Sequence, residues 1–530
     1  MPVIEGKPVG RHRIVRKLRV ARGTMRFVLD LQPRFDYGRA AHTLELTGNG
    51  AVFRSGSTEL TLHSSGRRDP GDPGAAEVER HDDGLRVTFS MHEGQVGGIV
   101  LESMGGQPRA IRPAEINRLA EDTGQFWRNW VNRSTYQGRW REMVTRSAMT
   151  LKLLTCEPTG APVAAATMGL PEEPAGERNW DYRYTWVRDG SLSVHTLLSL
   201  GYLEEAGAFA DWLRKRTEEQ QGNGSGPLKI MYRVDGSSDL AEETLDHFEG
   251  WRGARPVRIG NGAADQLQLD IYGEALDAVF TGDAHGLQLA YQGWLSLAQI
   301  TDWVCDNWDQ PDEGVWETRG GRKDFTFGRV QCWVALDRAI RLAQEHGRPA
   351  NLARWTDERD RIFNQIMTRG WNKRPRAFTQ HFGTNVLDSS LLLMPIEGFI
   401  APTDPMWLST LDAMDRELVS DSLVYRYNPT ATPDGLTGDE GTFSLCTYWY
   451  VDALARAGRL KEAEVIFEKM HTYANHLGLY SEEIGKTGEQ LGNFPQAFTH
   501  LSLNNAAISL NDHLDRAAHG TGPALATAAQ

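Results

Sequence analysis

The hydrophobic pattern of this chain changes period once, near Pro108, and that change limits what each part can fold into. Before it, runs such as HRIVRKLRVARG, TMRFVLDLQPRF, HTLELTGNGAVFRSGSTELTLHSS and GLRVTFSMHEGQVGGIVLES alternate apolar with polar residues and break at NG, SG and DG pairs. Alternation sends successive side chains to opposite faces, and those dipeptides favour tight turns, so residues 11–102 read as an antiparallel β domain. The basic residues from Arg11 to Arg22 interleave with Ile14, Val15, Leu18 and Val20, which favours the solvated face of a strand pair over a nucleic-acid stripe. After Pro108 a polar amphipathic segment, PAEINRLAEDTGQFWRNWVNRS, reads as a connecting helix. Beyond Trp140 the apolar residues recur at spacings of three and four.

That spacing predicts helices at 141–154, 191–200, 202–216, 266–280, 284–304, 330–345, 351–367, 443–457, 460–473 and 498–510. Hairpin-like helix pairs without a short repeat favour a closed α/α toroid over a solenoid. The expected organisation is a β domain at 1–106, a linker helix region at 107–139, a helical barrel at 140–515 and a flexible tail at 516–530. Five loops rich in glycine, acids and aromatics each run straight into an apolar helix: ERNWDYRYTWVRDGS, RIGNGAAD, PDEGVWETRGGRKDFTFGR, PDGLTGDEG and YSEEIGKTGEQLGNFPQAF. If alternate helices form the inner ring, all five open on one face and build one acidic, aromatic-lined cleft.

A net charge of −13 has the wrong sign for neutralising phosphates, so nucleic acid is disfavoured as a partner. Cys156, Cys305, Cys332 and Cys446 lie far apart and read as buried thiols. The start lacks an apolar core and cleavage site of the secretory kind, and no apolar stretch approaches the roughly 20 residues of a membrane span. A cytoplasmic protein with no membrane partner is the expectation. H-E-x-x-H, G-x-x-x-x-G-K-[ST] and a strand-coupled G-x-G-x-x-G are absent, so neither a metal nor a nucleotide cofactor is expected. Trp294, Trp303, Trp308, Trp316 and Trp333 crowd one stretch, as helical core or as flat rings on which sugar faces stack.

Two acids stand out by context. Glu317, in DEGVWETRGG, follows Trp316 in a glycine-rich loop, where burial against an indole would keep it protonated as a general acid. Glu482, in LYSEEIGKTGEQLG, lies in another loop of the same set. Taken singly, a loop carboxylate is more often a solvated surface group or a helix cap, and it is the shared location of the two before inner helices that raises the joint reading. A protonated acid facing an ionised base is what glycoside hydrolysis needs. RNWDYRYTWVRDGS reads either as packing with a local ion pair or as a sugar clamp, with Asp189 accepting from hydroxyls, Arg188 donating and Trp186 as an apolar floor.

These loops, with RHRIVRKLRVARG, PRFDYGRA and FPQAFTHLSL, resemble glycoside hydrolase family 15, the family of glucoamylases, glucodextranases and bacterial-type trehalases. The resemblance covers most of the chain. It implies a mainly α fold: an (α/α)6 barrel preceded by an antiparallel β-sandwich, here partial, and linker helices. It also implies an enzyme that releases glucose from non-reducing ends with inversion. The W-E element places the general acid at Glu317, and the S-E element places the general base at Glu482. The Y-x-Y-T-W-x-R-D element puts Arg188 and Asp189 on the non-reducing glucose, with Tyr182, Trp186 and Trp316 lining the pocket. An inverting pair should stand about 6.5–9.5 Å apart. The leading expectation is a glucoamylase-type exo-hydrolase of α-1,4-linked oligosaccharides, taking a small carbohydrate and no cofactor. A trehalase with the same acid and base is the alternative, and a non-catalytic glucan-binding or inactive truncated form stands third. Thr318 follows the acid where fungal relatives have a second Glu, which leaves the leaving-group subsite open. The β domain also begins in mid-pattern compared with bacterial relatives, which predicts an open sheet edge and homo-oligomerisation.

Overall fold

The computed structural model describes residues 12–65, 77–103, 105–219, 228–428, 430–431, 434–436, 438 and 440–519. The first residues of the basic segment, up to Arg11, and residues 520–530 of the expected tail lie outside the described residues. The chain divides into two compact units at Arg133–Ser134, earlier than the expected barrel start at 140.

In the first unit, β1 (Arg13–Arg19), β3 (Thr43–Thr47), β4 (Gly50–Ser55), β5 (Thr58–Ser64) and β8 (Val96–Ser103) form one antiparallel sheet in the order β1-β8-β5-β4-β3. The strands β2 (Thr24–Leu31), β6 (Glu77–His81) and β7 (Gly84–His92) form a second, ordered β2-β7-β6. The NG, SG and DG pairs fall at the β3–β4, β4–β5 and β6–β7 turns. Alternation then sorts the side chains. Ala51, Phe53 and Leu62 of the larger sheet meet Leu85 and Val87 of the smaller in one core, with Ile99 and Leu101 of β8 packed against it. Val100, between those two, faces the other way. It packs with Val15, Ile116 and Leu119, the last two on helix α1 (Pro113–Val131). The basic segment behaves as expected at Arg16, Lys17 and Arg19, which are exposed, but Ile14 is exposed too. Arg13 instead turns inward to Glu102, at 2.5 Å, which also meets His63.

The regular structure of the second unit is mainly helical, with short two- and three-stranded sheets in its loops. Its helices are α2 (Arg141–Leu154), α3 (Val187–Ser199), α4 (Leu203–Glu219), α5 (Asp270–Ala284), α6 (Tyr291–Asn307), α7 (Thr326–Glu345), α8 (Leu352–Gln365), α9 (Pro405–Glu417), α10 (Ser444–Arg456), α11 (Leu460–Met470) and α12 (Ala497–Ala518). Packing runs α3 to α5 to α7 to a short 3-10 turn at Ser389–Leu393, then to α10, α12 and back to α3. This closes an inner ring of six elements, with α2, α4, α6, α8, α9 and α11 outside it. Composition explains the division. All of α10 but its last residue is buried, as a helix apolar all round must be, whereas α8 (LARWTDERDRIFNQ) buries only Trp355 and Ile362. The spacing did not reveal α9, which opens on Asp404, capping the Met406 N–H, and Pro405. The first residues of the expected flexible tail, Arg516 to Ala518, are the last of α12. Among the described residues no helix is long and apolar enough to cross a membrane. Cys305, Cys332 and Cys446 are buried thiols and Cys156 is half-buried.

Candidate active site

The loops flagged in the sequence all enter the ring at the N-terminal ends of inner helices, and side chains of three of them, the first, third and fifth, meet at that end. There a narrow pocket of about 50 Å³ is lined by Tyr182, Trp186, Arg188, Asp189, Trp316, Glu317 and Glu482, the seven site residues expected from sequence.

One short stretch of chain touches both acids. Thr185–Trp186 pairs with Met231–Tyr232 and leads directly into α3, whose first turn carries Arg188 and Asp189. The Tyr182 hydroxyl donates to Glu482 Oε1 at 2.8 Å, and the Trp186 indole N–H donates to Glu317 Oε1 at 2.6 Å. The two rings meet edge to face, with centroids 5.4 Å apart. Arg188 donates to the Val315 carbonyl and to Asp189, 2.9 and 3.0 Å away, and stands 3.8 Å from Glu317. Its guanidinium lies over the Phe498 ring.

Glu317 sits in a left-handed backbone conformation, φ +58°, which a residue with a β-carbon adopts only when its surroundings impose it. Three contacts do so here: its own N–H donates to the Gly314 carbonyl, Thr318 Oγ1 donates to the Glu313 carbonyl, and Gln266 Nε2 reaches the carbonyls of both Glu317 and Thr318. Burial pushes the Glu317 carboxyl above its ordinary range, opposed by Arg188 and by the Trp186 N–H. Trp316 is held by Asp388, which accepts its indole N–H at 2.9 Å.

Glu482 is buried, with Oε1 accepting from Tyr182 and from Gln496 Nε2 and with Oε2 lacking any partner. Burial pushes its carboxyl up to about 7, against the pull of Tyr182 and Arg426. Behind it lies a buried ionic cluster. Arg178 binds Asp434 at 2.9 Å and Glu440 at 2.5 Å, and Arg426 binds Glu440 at 2.7 Å. Glu172, which accepts the Trp180 indole N–H, is raised mainly by burial and next by the charge of Glu482. At Asp189, also raised by burial, Arg188 opposes the shift.

The pocket also contains Arg426, Phe443, Gln496 and Phe498. Phe443, Gln496 and Phe498 stand at loop-to-helix junctions and could have been found by that position. Arg426 lies in none of the flagged loops and reaches the site through Glu440, so nothing local marks it. Of the five crowded tryptophans only Trp316 lines the pocket; Trp294 and Trp308 are core. Among the described residues one trio, Asp283, Glu345 and His346, brings metal-type ligand atoms within 4.8 Å of one another. It lies at the C-terminal ends of α5 and α7, the opposite end of the ring from the two acids.

A helical barrel that brings a buried acid and a half-buried one to one aromatic-lined pocket beside an arginine–aspartate clamp has the construction of a glycosidase. Residues 138–507 match the model of glycosyl hydrolases family 15, and the chain belongs to that family. It is 38% identical over 501 residues to a trehalase of Mycobacterium tuberculosis, covering 94% of this chain and 73% of that protein. A trehalase of Thermoplasma acidophilum is 36% identical, with 92% and 81% covered. Among solved structures, a bacterial glucoamylase complexed with acarbose superposes with a TM-score of 0.70 at 15% identity, covering 92% of this chain and 77% of that one. The fold expected from sequence, mainly α with an α/α barrel behind an antiparallel β domain, is therefore the fold of this chain.

Proposed function

We propose that this protein hydrolyses α,α-trehalose with inversion at one anomeric carbon. The observation that carries the hydrolytic chemistry is the shared grip of residues 182–188 on Glu317 and Glu482, which supports one carboxyl acting as acid and the other as base. Glu317, whose carboxyl burial raises above its ordinary range, donates its proton to the glycosidic oxygen. Glu482, whose Oε1 is already engaged, takes the proton of an attacking water at Oε2. The water oxygen bonds to the anomeric carbon as the glycosidic bond breaks, giving one β-glucose, while the departing glucose keeps its α configuration. Solvent then returns a proton to Glu317 and removes one from Glu482. Inverting chemistry needs the carboxyls about 6.5–9.5 Å apart, and gripping them by separate residues of one segment suits a fixed gap of that order. Arg188 and Asp189 offer paired donors and acceptors to the hydroxyls of the glucose that is attacked.

Trehalose is preferred over α-1,4-linked oligosaccharides because two relatives named trehalases align with more than nine-tenths of this chain. The likeness to a glucoamylase, at 15% identity, bears on the fold alone. The test is proton NMR of the purified protein with trehalose and, separately, with maltotriose, read before mutarotation. Equal early α- and β-glucose from trehalose supports the proposal. Early β-glucose from maltotriose alone overturns it in favour of a glucoamylase, and binding without release points to a non-catalytic glucan-binding protein.

A further inference from the structure

The inner ring encloses a second, larger cavity of about 520 Å³, and none of the seven residues of the catalytic pocket lines it. It lies further along the same helix faces. On α3, Ser191 and His195 follow Arg188; on α5, Glu274 and Asp277 follow Asp270; on α12, Ser502 and Asn505 follow Phe498. Steps of three, four and seven residues keep each set on one side of its helix, so the cavity continues the barrel axis toward the end away from the acids.

Its lining has a definite chemistry. Of the three arginines that line it, Arg516 is exposed near the end of α12, while Arg338 binds Asp277 at 2.6 Å and Asp337 at 2.8 Å, and Arg456 binds Asp452 at 2.9 Å. An anion would find the latter two already paired. At the inner end stand Ser191, 3% exposed and with no partner for its hydroxyl, and Glu274, also 3% exposed, whose carboxyl burial pushes well above its ordinary range. His195, Ser502 and Asn505 add neutral donors and acceptors, and Phe280 and Trp449 supply aromatic wall. Hydroxyl, carboxyl, imidazole and amide groups beside flat rings, with Arg338 and Arg456 paired off, suit an uncharged polyhydroxylated molecule, and the volume falls within the range of small-ligand sites. We propose that this cavity is a second saccharide site, taking a neutral hexose inside the barrel on the side away from the catalytic acids. The two sites share a wall: Trp449 lines the cavity and lies 5.4 Å, centroid to centroid, from Phe498 and 6.1 Å from Trp316.

The experiment counts D-glucose bound per chain by calorimetry, in the unaltered protein and in three variants. Ser199→Trp and Asn505→Trp each place an indole in the cavity from a different helix, and Asp189→Asn weakens the catalytic pocket. Thermal melts identify folded variants. Two glucoses per chain, falling to one in either cavity variant and to one in Asp189→Asn, is the expected result. Where the catalytic pocket takes no glucose, a single binding event lost in Ser199→Trp and kept in Asp189→Asn supports the second site independently of the hydrolytic reading. Binding unchanged in both folded cavity variants, or no binding at all, overturns it and leaves a cavity filled by water.

Discussion

Replacing Tyr182 by Phe tests whether Glu482 is the base, because the hydroxyl it removes donates to that carboxyl. A hydrogen bond to a charged group contributes about 1.5–3 kcal/mol, and one pKa unit is worth about 1.4 kcal/mol. The bond favours the ionised form, so its loss moves Glu482 upward by about 1 to 2 units. Starting from about 7, the ionised fraction at pH 7 falls from roughly one half to between about a tenth and a hundredth. The proposed mechanism then requires kcat/KM at pH 7 to drop about 5- to 50-fold, with the acid limb of the pH profile displaced upward by the same 1 to 2 units. The assay is initial rates of glucose release across pH 5 to 9 in both proteins. An acid limb that does not move, whatever happens to the plateau, would refute Glu482 as the titrating base.

Other expectations follow from the same geometry. Glu317→Gln and Glu482→Gln should each lower kcat about 10²- to 10⁴-fold with unchanged melting curves; near-normal turnover in either removes that residue from the mechanism. Gly492 has φ +76°, and a β-carbon there would stand 2.6 Å from Glu482 Oε2, so Gly492→Ala should push that carboxyl aside and, on the proposed mechanism, cost about 10- to 100-fold in kcat. Arg178→Met leaves Asp434 and part of Glu440 uncompensated, and should cost about 3–5 kcal/mol in urea unfolding. Asp312 accepts the Leu269 N–H on one oxygen and has no partner on the other, and burial pushes its carboxyl up to about 8. Between about pH 4 and pH 8 the folded chain holds a proton the unfolded chain has released, so this group's contribution to stability falls as pH rises through that window. In Asp312→Asn the melting temperature should decline less between pH 5 and pH 8 than in the parent.

Legibility in the sequence followed distance along the chain. Alternation and turn pairs gave β1 to β5, β7 and β8, but EVERH, too short and too charged to show a pattern, concealed β6. The three-and-four spacing gave ten barrel helices, α2 with its bounds unchanged, because core-facing positions repeat within each segment. The fourth inner position was invisible, since SSLLL folds as a 3-10 turn capped by Asp388 and has no helical length to leave a period. The site residues were legible where chemistry concentrates in a loop. Arg426 was not, since its role depends on Glu440 and on the faces of Trp316 and Phe443.

Because Tyr182 and Trp186 are four residues apart on one stretch of backbone, each acid is registered against the same template instead of against the other. A change in the exposed 319–322 loop, beyond the contacts that hold Glu317, can therefore leave the spacing of the two carboxyls intact. Family members on this barrel can diverge in the linkage they open without rebuilding the step that opens it.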